Sequence, residues 1–240
     1  MYRWRGNPAS TAYARDVPAT PATPSTPSAP ARETYHHGAL REELITASLA
    51  LIAAEGIGAV SLRRVAREAG VSPGAPYHHF ADRSALLAAI TVRGSALLEQ
   101  SLREARQHAP TADAALGALI EAYVRFAAEN PAYIHLMLRP ELSHPENHPE
   151  VQAAGEGAIT LLTEVVQDCQ REGSAPPGDP ATLTGLVWAL AIGIVTLWLD
   201  GPLEARCVDL GTTPQELTAR ITALLTGLLT GQPPRGERGG

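Results

Sequence analysis

Apolar residues recur at helical spacing along nearly the whole chain from residue 40 onward. Leu40, Leu44, Ala47, Leu51 and Ile52 fall on one face, which predicts a helix starting near His37 and closed by Gly56. Leu62, Val65, Ala66 and Ala69 repeat the pattern over a shorter span, with Ser61 placed to cap and Gly70 placed to end the helix in a left-handed conformation. Ser72 then reads as a second cap and Pro73 as a first helical residue, where a missing N–H costs nothing, so a helix is expected over residues 73–79. Pro76, the fourth helical residue, gives up only the bond back to the cap. Phe80 offers an aromatic anchor and Asp82 a further cap. Leu86, Leu87, Ile90, Leu97, Leu98 and Leu102 then carry a long helix to about Arg106, broken by Pro110.

The remainder reads as helical throughout. Thr111 caps a helix to Glu129 with Leu116, Leu119, Ile120, Tyr123 and Phe126 apolar, and residues 132–138 and 151–171 give two more around a polar loop at 141–150. After a linker at 173–180, residues 181–199 contain no charge. A run of this length can span a bilayer, but its threonines and glycines point instead to a helix buried on nearly every side, and no membrane partner is expected. Gly185, Ala189 and Gly193, four apart, would leave a groove for a close partner helix. The expected partner is residues 213–230, where Leu217, Ile221, Leu224, Leu225 and Leu228 form a stripe.

Composition changes the picture mainly at the ends. Residues 1–34 include a run of Pro, Ala, Thr and Ser from 18 to 30 that cannot bury enough surface to offset its ordering entropy, so a disordered arm is expected. Its start, with Arg3, Trp4 and Arg5, lacks the apolar stretch of a secretory leader. Residues 231–240 read as a loose tail. Between them the pattern predicts an all-α protein: a three-helix domain at 35–81 and a larger helical domain at 82–230. Cys169 and Cys207 are far apart and lack metal-ligand spacing, which suits buried thiols in a reducing cytoplasm.

Helix, glycine turn and helix over residues 61–79 is the arrangement by which a DNA-binding motif braces one helix across the backbone and inserts the next into the major groove. Charge agrees with contact at one end only. Residues 36–95 carry 6 arginines against 5 acids, whereas residues 96–240 carry 9 against 18, within a net charge of −6. The 19 basic residues are all arginine, so every phosphate contact from a basic side chain must come from a planar guanidinium.

Residues 36–90 resemble the N-terminal domain of the TetR family of transcriptional regulators. The resemblance rests on Gly58, Ser61, Leu62, Arg63, Val65, Ala66, Ala69, Gly70, Val71, Ser72, Gly74, Tyr77, His79, Phe80, Arg83, Leu86 and Leu87 at the family's spacing. Pro76 stands where the family usually has leucine, and Arg83 where it usually has lysine. The resemblance implies that Tyr77 and His79 contact backbone phosphates, that Arg83 keeps a cation for phosphate, and that Arg63 reads a guanine edge. It also implies that Pro73, Gly74, Ala75 and His78 face the bases; the capping Ser61 and Ser72 complete the expected DNA-facing set. Trp188 and Gly193 are similar to the Trp and Gly of a WHG-type regulatory domain, with Ile192 in place of its histidine.

These features predict a homodimeric, sequence-specific regulator of double-stranded DNA at a near-palindromic operator, most simply a repressor released by a small-molecule effector. Tyr123, His135, Met137 and Trp188 are the candidate effector contacts. Leu190, Ile194 and Leu197, with Ile221, Leu224, Leu225 and Leu228, are the candidate dimer contacts. The competing reading is a small-molecule binding protein or enzyme with a vestigial DNA motif. No nucleophile elbow, phosphate loop or metal-spaced His/Glu pair supports catalysis, and neither a cofactor nor a metal is expected.

Overall fold

The computed structural model describes residues 33–144 and 146–230. The expected arm up to residue 32 and the tail at 231–240 lie outside them. Nine helices occupy the described residues: α1 (Glu33–Glu55), α2 (Leu62–Glu68), α3 (Arg83–His108), α4 (Ala112–Glu129), α5 (Pro131–Met137), α6 (Pro149–Arg171), α7 (Pro180–Leu199), α8 (Leu203–Asp209) and α9 (Pro214–Thr230). Short 3-10 segments lie at Ile57–Ala59, Ala75–His78 and Pro140–Leu142. α1 starts upstream of His37, taking in two residues assigned to the arm, because a nucleated helix extends past the end of its apolar face.

Three of the predicted caps form. Ser61 Oγ accepts from the Arg64 N–H, Asp82 Oδ1 from the Ala85 N–H at 2.9 Å, and Thr111 Oγ1 from the Ala114 N–H. Thr213 and Glu216 exchange bonds as a capping box, Thr213 Oγ1 accepting at 3.2 Å and Glu216 Oε2 at 3.1 Å.

One continuous hydrophobic core runs through both expected domains, and α3 belongs to each part of it. Its first turns supply Leu86, Leu87 and Ile90 beside Leu44, Ile45 and Val65, whereas Leu98 and Leu102 lie among α4 and α6 residues such as Leu119 and Val165. Close approach along α3 depends on glycine. A Cβ at Gly94 would stand 2.6 Å from Tyr133 Cδ1 on α5, and one at Gly157 on α6 would meet the Glu99 carboxylate. Arg106 adds ion pairs across to α6, with Glu164 at 2.6 Å and Asp168 at 2.9 Å.

Three expectations about the C-terminal half need correction. α7 is not buried on nearly every side: Thr184, Val187, Ala191, Ile194 and Val195 face inward, but Leu186, Trp188 and Leu197 are about half exposed. By length and composition α7 is apolar enough to cross a membrane, yet its inner face packs against α4 and α6. Nor does α9 partner α7. It packs on α4, and the space beside Gly185 and Gly193 is open, because a single chain supplies helices to one side of α7 only. Finally, α8 was not predicted; seven residues between two turns are too few for a periodic signal.

The two glycines make opposite predictions. Gly94→Ala presses into the Tyr133 ring and its Cβ, and overpacking of this kind costs about 1–3 kcal/mol, less about 1 kcal/mol of gained helix propensity. Gly157→Ala displaces only the end of a flexible carboxylate, so chemical denaturation should find it neutral or slightly stabilised while Gly94→Ala loses stability.

Candidate nucleic-acid interface and interior cavity

The turn that ends α2 is fixed by backbone chemistry. Gly70 adopts φ +69°, which only glycine enters freely. The Val71 N–H then bonds to the Ala66 carbonyl at 2.9 Å and the Gly70 N–H to that of Arg67 at 3.2 Å, the double closure of a Schellman motif.

Beyond this turn the chain departs from the helix expected over 73–79. Residues 73–74 form a turn, and only Ala75–His78 is helical, as a 3-10 segment. The cause is Pro76. It has no N–H to return to the Ser72 carbonyl, which accepts instead from Ala75 at 3.0 Å, so three-residue bonds replace the four-residue ladder. Accordingly Ser72 makes no capping bond; Gly74 stands at the N-cap position. Pro76 itself is buried in the core, where the resemblance would place a leucine.

The expected DNA-facing residues separate into two groups. Ser61, Arg63, Ser72, Pro73, Gly74, Tyr77 and His78 are all exposed, with Ala75 partly so. Arg63 and its neighbour Arg67 are in no ion pair among the described residues, whereas Arg64 is held by Glu55 at 2.5 Å. His79 is half-buried, its ring tilted at 55° to that of Phe80. Arg83 is turned inward: Nε donates to the Val60 carbonyl at 2.8 Å and one Nη to that of Ile57 at 2.9 Å. It thus ties the link before α2 to the start of α3, a structural role that its motif position did not suggest. Arg41 stacks over Phe80, 5.5 Å from the ring centroid, and braces the same corner.

Behind this unit lies a cavity of about 370 Å³ among α3, α4, α6 and α7, closed at one end by α5. Of the candidate effector contacts, Tyr123, Met137 and Trp188 line it; His135 does not. Two residues apart on a short helix means roughly opposite faces, and His135 instead approaches Asp200, Nδ1 to Oδ1 3.5 Å. Burial pushes the Tyr123 phenol up to about 12, and its hydroxyl has no hydrogen-bond partner among the described residues.

Thr91, Ser95 and Gln152 also line the cavity and were missed. The first two are polar residues on the apolar face of α3, four apart, a break in pattern that was visible in the sequence. Thr91 Oγ1 donates to the Leu87 carbonyl at 3.0 Å and lies 3.1 Å from Ser143 Oγ. Further along the same loop His148 Nε2 comes within 3.4 Å of Ser84 Oγ in the first turn of α3. Ser84 in turn donates to Asp82, whose carboxyl is held below its usual range by the Ala85 N–H and by that hydroxyl.

Of the expected dimer residues, Leu197, Leu224 and Leu228 are exposed, the last 71% so, and Leu190, Ile221 and Leu225 are half-buried. Ile194 is corrected: it shares the inner face of α7 with Val187, Ala191 and Val195 and lies in the core. On α9 Thr218 and Thr222 are buried and Thr226 lies beside Gly117, Ile221, Leu225 and Leu229 pack against the edge of the core, and Leu224 and Leu228 point outward.

The family model for bacterial regulatory proteins of the tetR family matches residues 44–90, and that for the tetracyclin repressor-like C-terminal domain matches residues 116–225. A solved structure of a protein of unknown function from Rhodococcus sp. RHA1 is 31% identical, covering 83% of this chain and 100% of that one, with a TM-score of 0.68. The TetR family transcriptional regulator PfmR from Thermus thermophilus is 21% identical over 83% of this chain and 98% of its own, at a TM-score of 0.63. The transcriptional regulator FadR from Bacillus subtilis, solved in complex with stearoyl-CoA, is 18% identical over 77% and 97%, at 0.62.

Arg83→Ala removes two charge-assisted bonds, each worth about 1.5–3 kcal/mol, and should lower the stability of the protein without DNA by roughly that amount or more. Tyr77→Phe, at an exposed hydroxyl, should leave the same unfolding curve unchanged.

Proposed function

We propose that this chain, which has the fold of the TetR family of transcriptional regulators, is a homodimeric repressor released from a near-palindromic operator by a small-molecule effector. The observation that carries this reading is the exposed surface of Arg63, Pro73, Gly74, Tyr77 and His78 on a rigidly closed helix-turn-helix. In this reading Tyr77 donates to a phosphate, Arg63 presents its fork to a base edge, and the small residues at 73–75 let the segment lie close to the groove floor. His79, partly covered, and Arg83, engaged with two carbonyls, contribute mainly by holding that surface in place. Half-sites would then stand about 34 Å apart, one helical turn of DNA.

Dimerisation is supported by the outward leucines of α9 and the half-exposed apolar face of α7, a pattern that leaves hydrocarbon in water unless a second copy covers it. We assign the C-terminal domain to the WHG type on Trp188 and Gly193. An effector is supported by the cavity, and by the precedent of FadR with its stearoyl-CoA. The route to DNA would be the loop after α5. Pro140 lines the cavity, Ser143 touches Thr91, and His148 reaches Ser84 beside the Arg83 anchor. A ligand that fits only one position of this loop shifts the spacing of the two reading heads; one that fits both equally well shifts nothing.

Selection from random duplex DNA should enrich a near-palindrome, bound with an affinity that falls steeply with salt as phosphate contacts release counterions. Failure to enrich any symmetric site would leave the fold without this function. Tyr77→Phe should weaken every site alike and reduce the salt slope by about one, whereas Arg63→Ala should relax preference at one base at a cost of about 1–3 kcal/mol. Leu224→Glu combined with Leu228→Glu should yield monomers by sedimentation and abolish palindrome binding. Dimers that persist in this variant would place the interface elsewhere.

A further inference from the structure

We infer that the cavity between α3, α4, α6 and α7 selects an electrically neutral, mainly hydrocarbon molecule with a hydrogen-bonding oxygen seated at Tyr123. This deepens the reading of the cavity as the effector site and rests on it.

The cavity wall contains no aspartate, glutamate, arginine or histidine among the described residues. A carboxylate or ammonium brought inside would lose its water and find no counter-charge, whereas an uncharged molecule gains from contact with Leu98, Leu119, Ile159, Leu162 and Val187. The polar groups present are few and unequal: Ser95, a second buried hydroxyl with no hydrogen-bond partner among the described residues, and the indole of the half-exposed Trp188 also line the wall. Thr91 already has partners in Leu87 and Ser143. Gln152 is exposed and open to solvent. The Tyr123 side chain is largely covered by protein, lines the cavity and has no hydrogen-bond partner among the described residues. Its O–H therefore calls for an acceptor carried by the ligand: a carbonyl, ether or hydroxyl oxygen.

Size narrows the class further. A cavity of about 150 Å³ accommodates benzene, so 370 Å³ suits two to three fused rings or a chain of about ten carbons. Gly155, an exposed lining residue of α6, has open space where a Cβ would stand, so a larger side chain there would occupy the mouth without disturbing a packed contact.

The test uses the full-length protein and three probes with one chain length: 1-decanol, decanoate and decylammonium, each titrated against intrinsic tryptophan fluorescence and the unfolding temperature. Decanol should bind at least about tenfold more tightly than either ion. Tyr123→Phe should weaken decanol several-fold while leaving discrimination against the ions in place, and Gly155→Leu should fold normally and lose all binding. Equal or tighter binding of decanoate or decylammonium overturns the inference, as does the absence of decanol binding to the wild-type protein. Displacement from operator DNA, followed separately by anisotropy, judges the regulatory reading. Decanol that binds and leaves the DNA complex intact supports the cavity's selectivity and rejects its role as the effector site.

Discussion

The structure depends on the burial of one helix in two places. α3 runs 26 residues, about 39 Å, and its first three turns complete the hydrophobic core of the N-terminal unit while its last turns are walled in by α4 and α6. Neither half can shed it. A close-packed interior resists gradual deformation, so a push on the middle of α3, where Thr91 and Ser95 meet the cavity, is passed on as movement of a rigid rod. Arg83 makes the far end stiff as well, because its two bonds to Val60 and Ile57 carry the orientation of α3 into the connection that precedes α2.

Much of this was legible in the sequence because helical periodicity and cap chemistry are local. Ser61, Asp82 and Thr111 sit where their hydroxyl or carboxylate oxygen is needed, and Gly70 was readable as a turn from its place alone. The failures share a cause: they depend on what the other side of a helix meets. His135 and Met137 are equally plausible pocket residues on spacing alone, and only the direction of α5 separates them. Thr91 and Ser95 interrupt the apolar face of α3, but only the position of the cavity gives that interruption a meaning. α7 was expected to be enclosed because its composition is apolar all round, yet composition does not say whether the enclosing atoms come from the same chain.

Pro76 illustrates how one residue acts at two levels. It takes a core position, which keeps the segment anchored, and at the same time removes the N–H that an α-helical ladder would use. The consequence is a short, tight segment with Tyr77 and His78 displayed and small residues before them. If this surface reads DNA as proposed, it would offer few direct base contacts, and sequence-dependent groove shape would gain weight in recognition. With no lysine in the chain, arginines on α2 supply the flexible cations nearby.

The outer face of α9, where Leu224 and Leu228 stand exposed while Thr218 and Thr222 are buried, bears on how much protein would be active rather than on what it recognises. A helix whose better hydrophobic face needs a second chain draws part of its stability from association, and that part follows mass action. If a second copy covers Leu224 and Leu228 as proposed, the C-terminal bundle would be less stable and more open to proteolysis at low copy number, and at higher copy number each chain would protect another. Steady-state abundance would then rise more steeply than synthesis rate, and dimerisation would set a threshold on gene dosage.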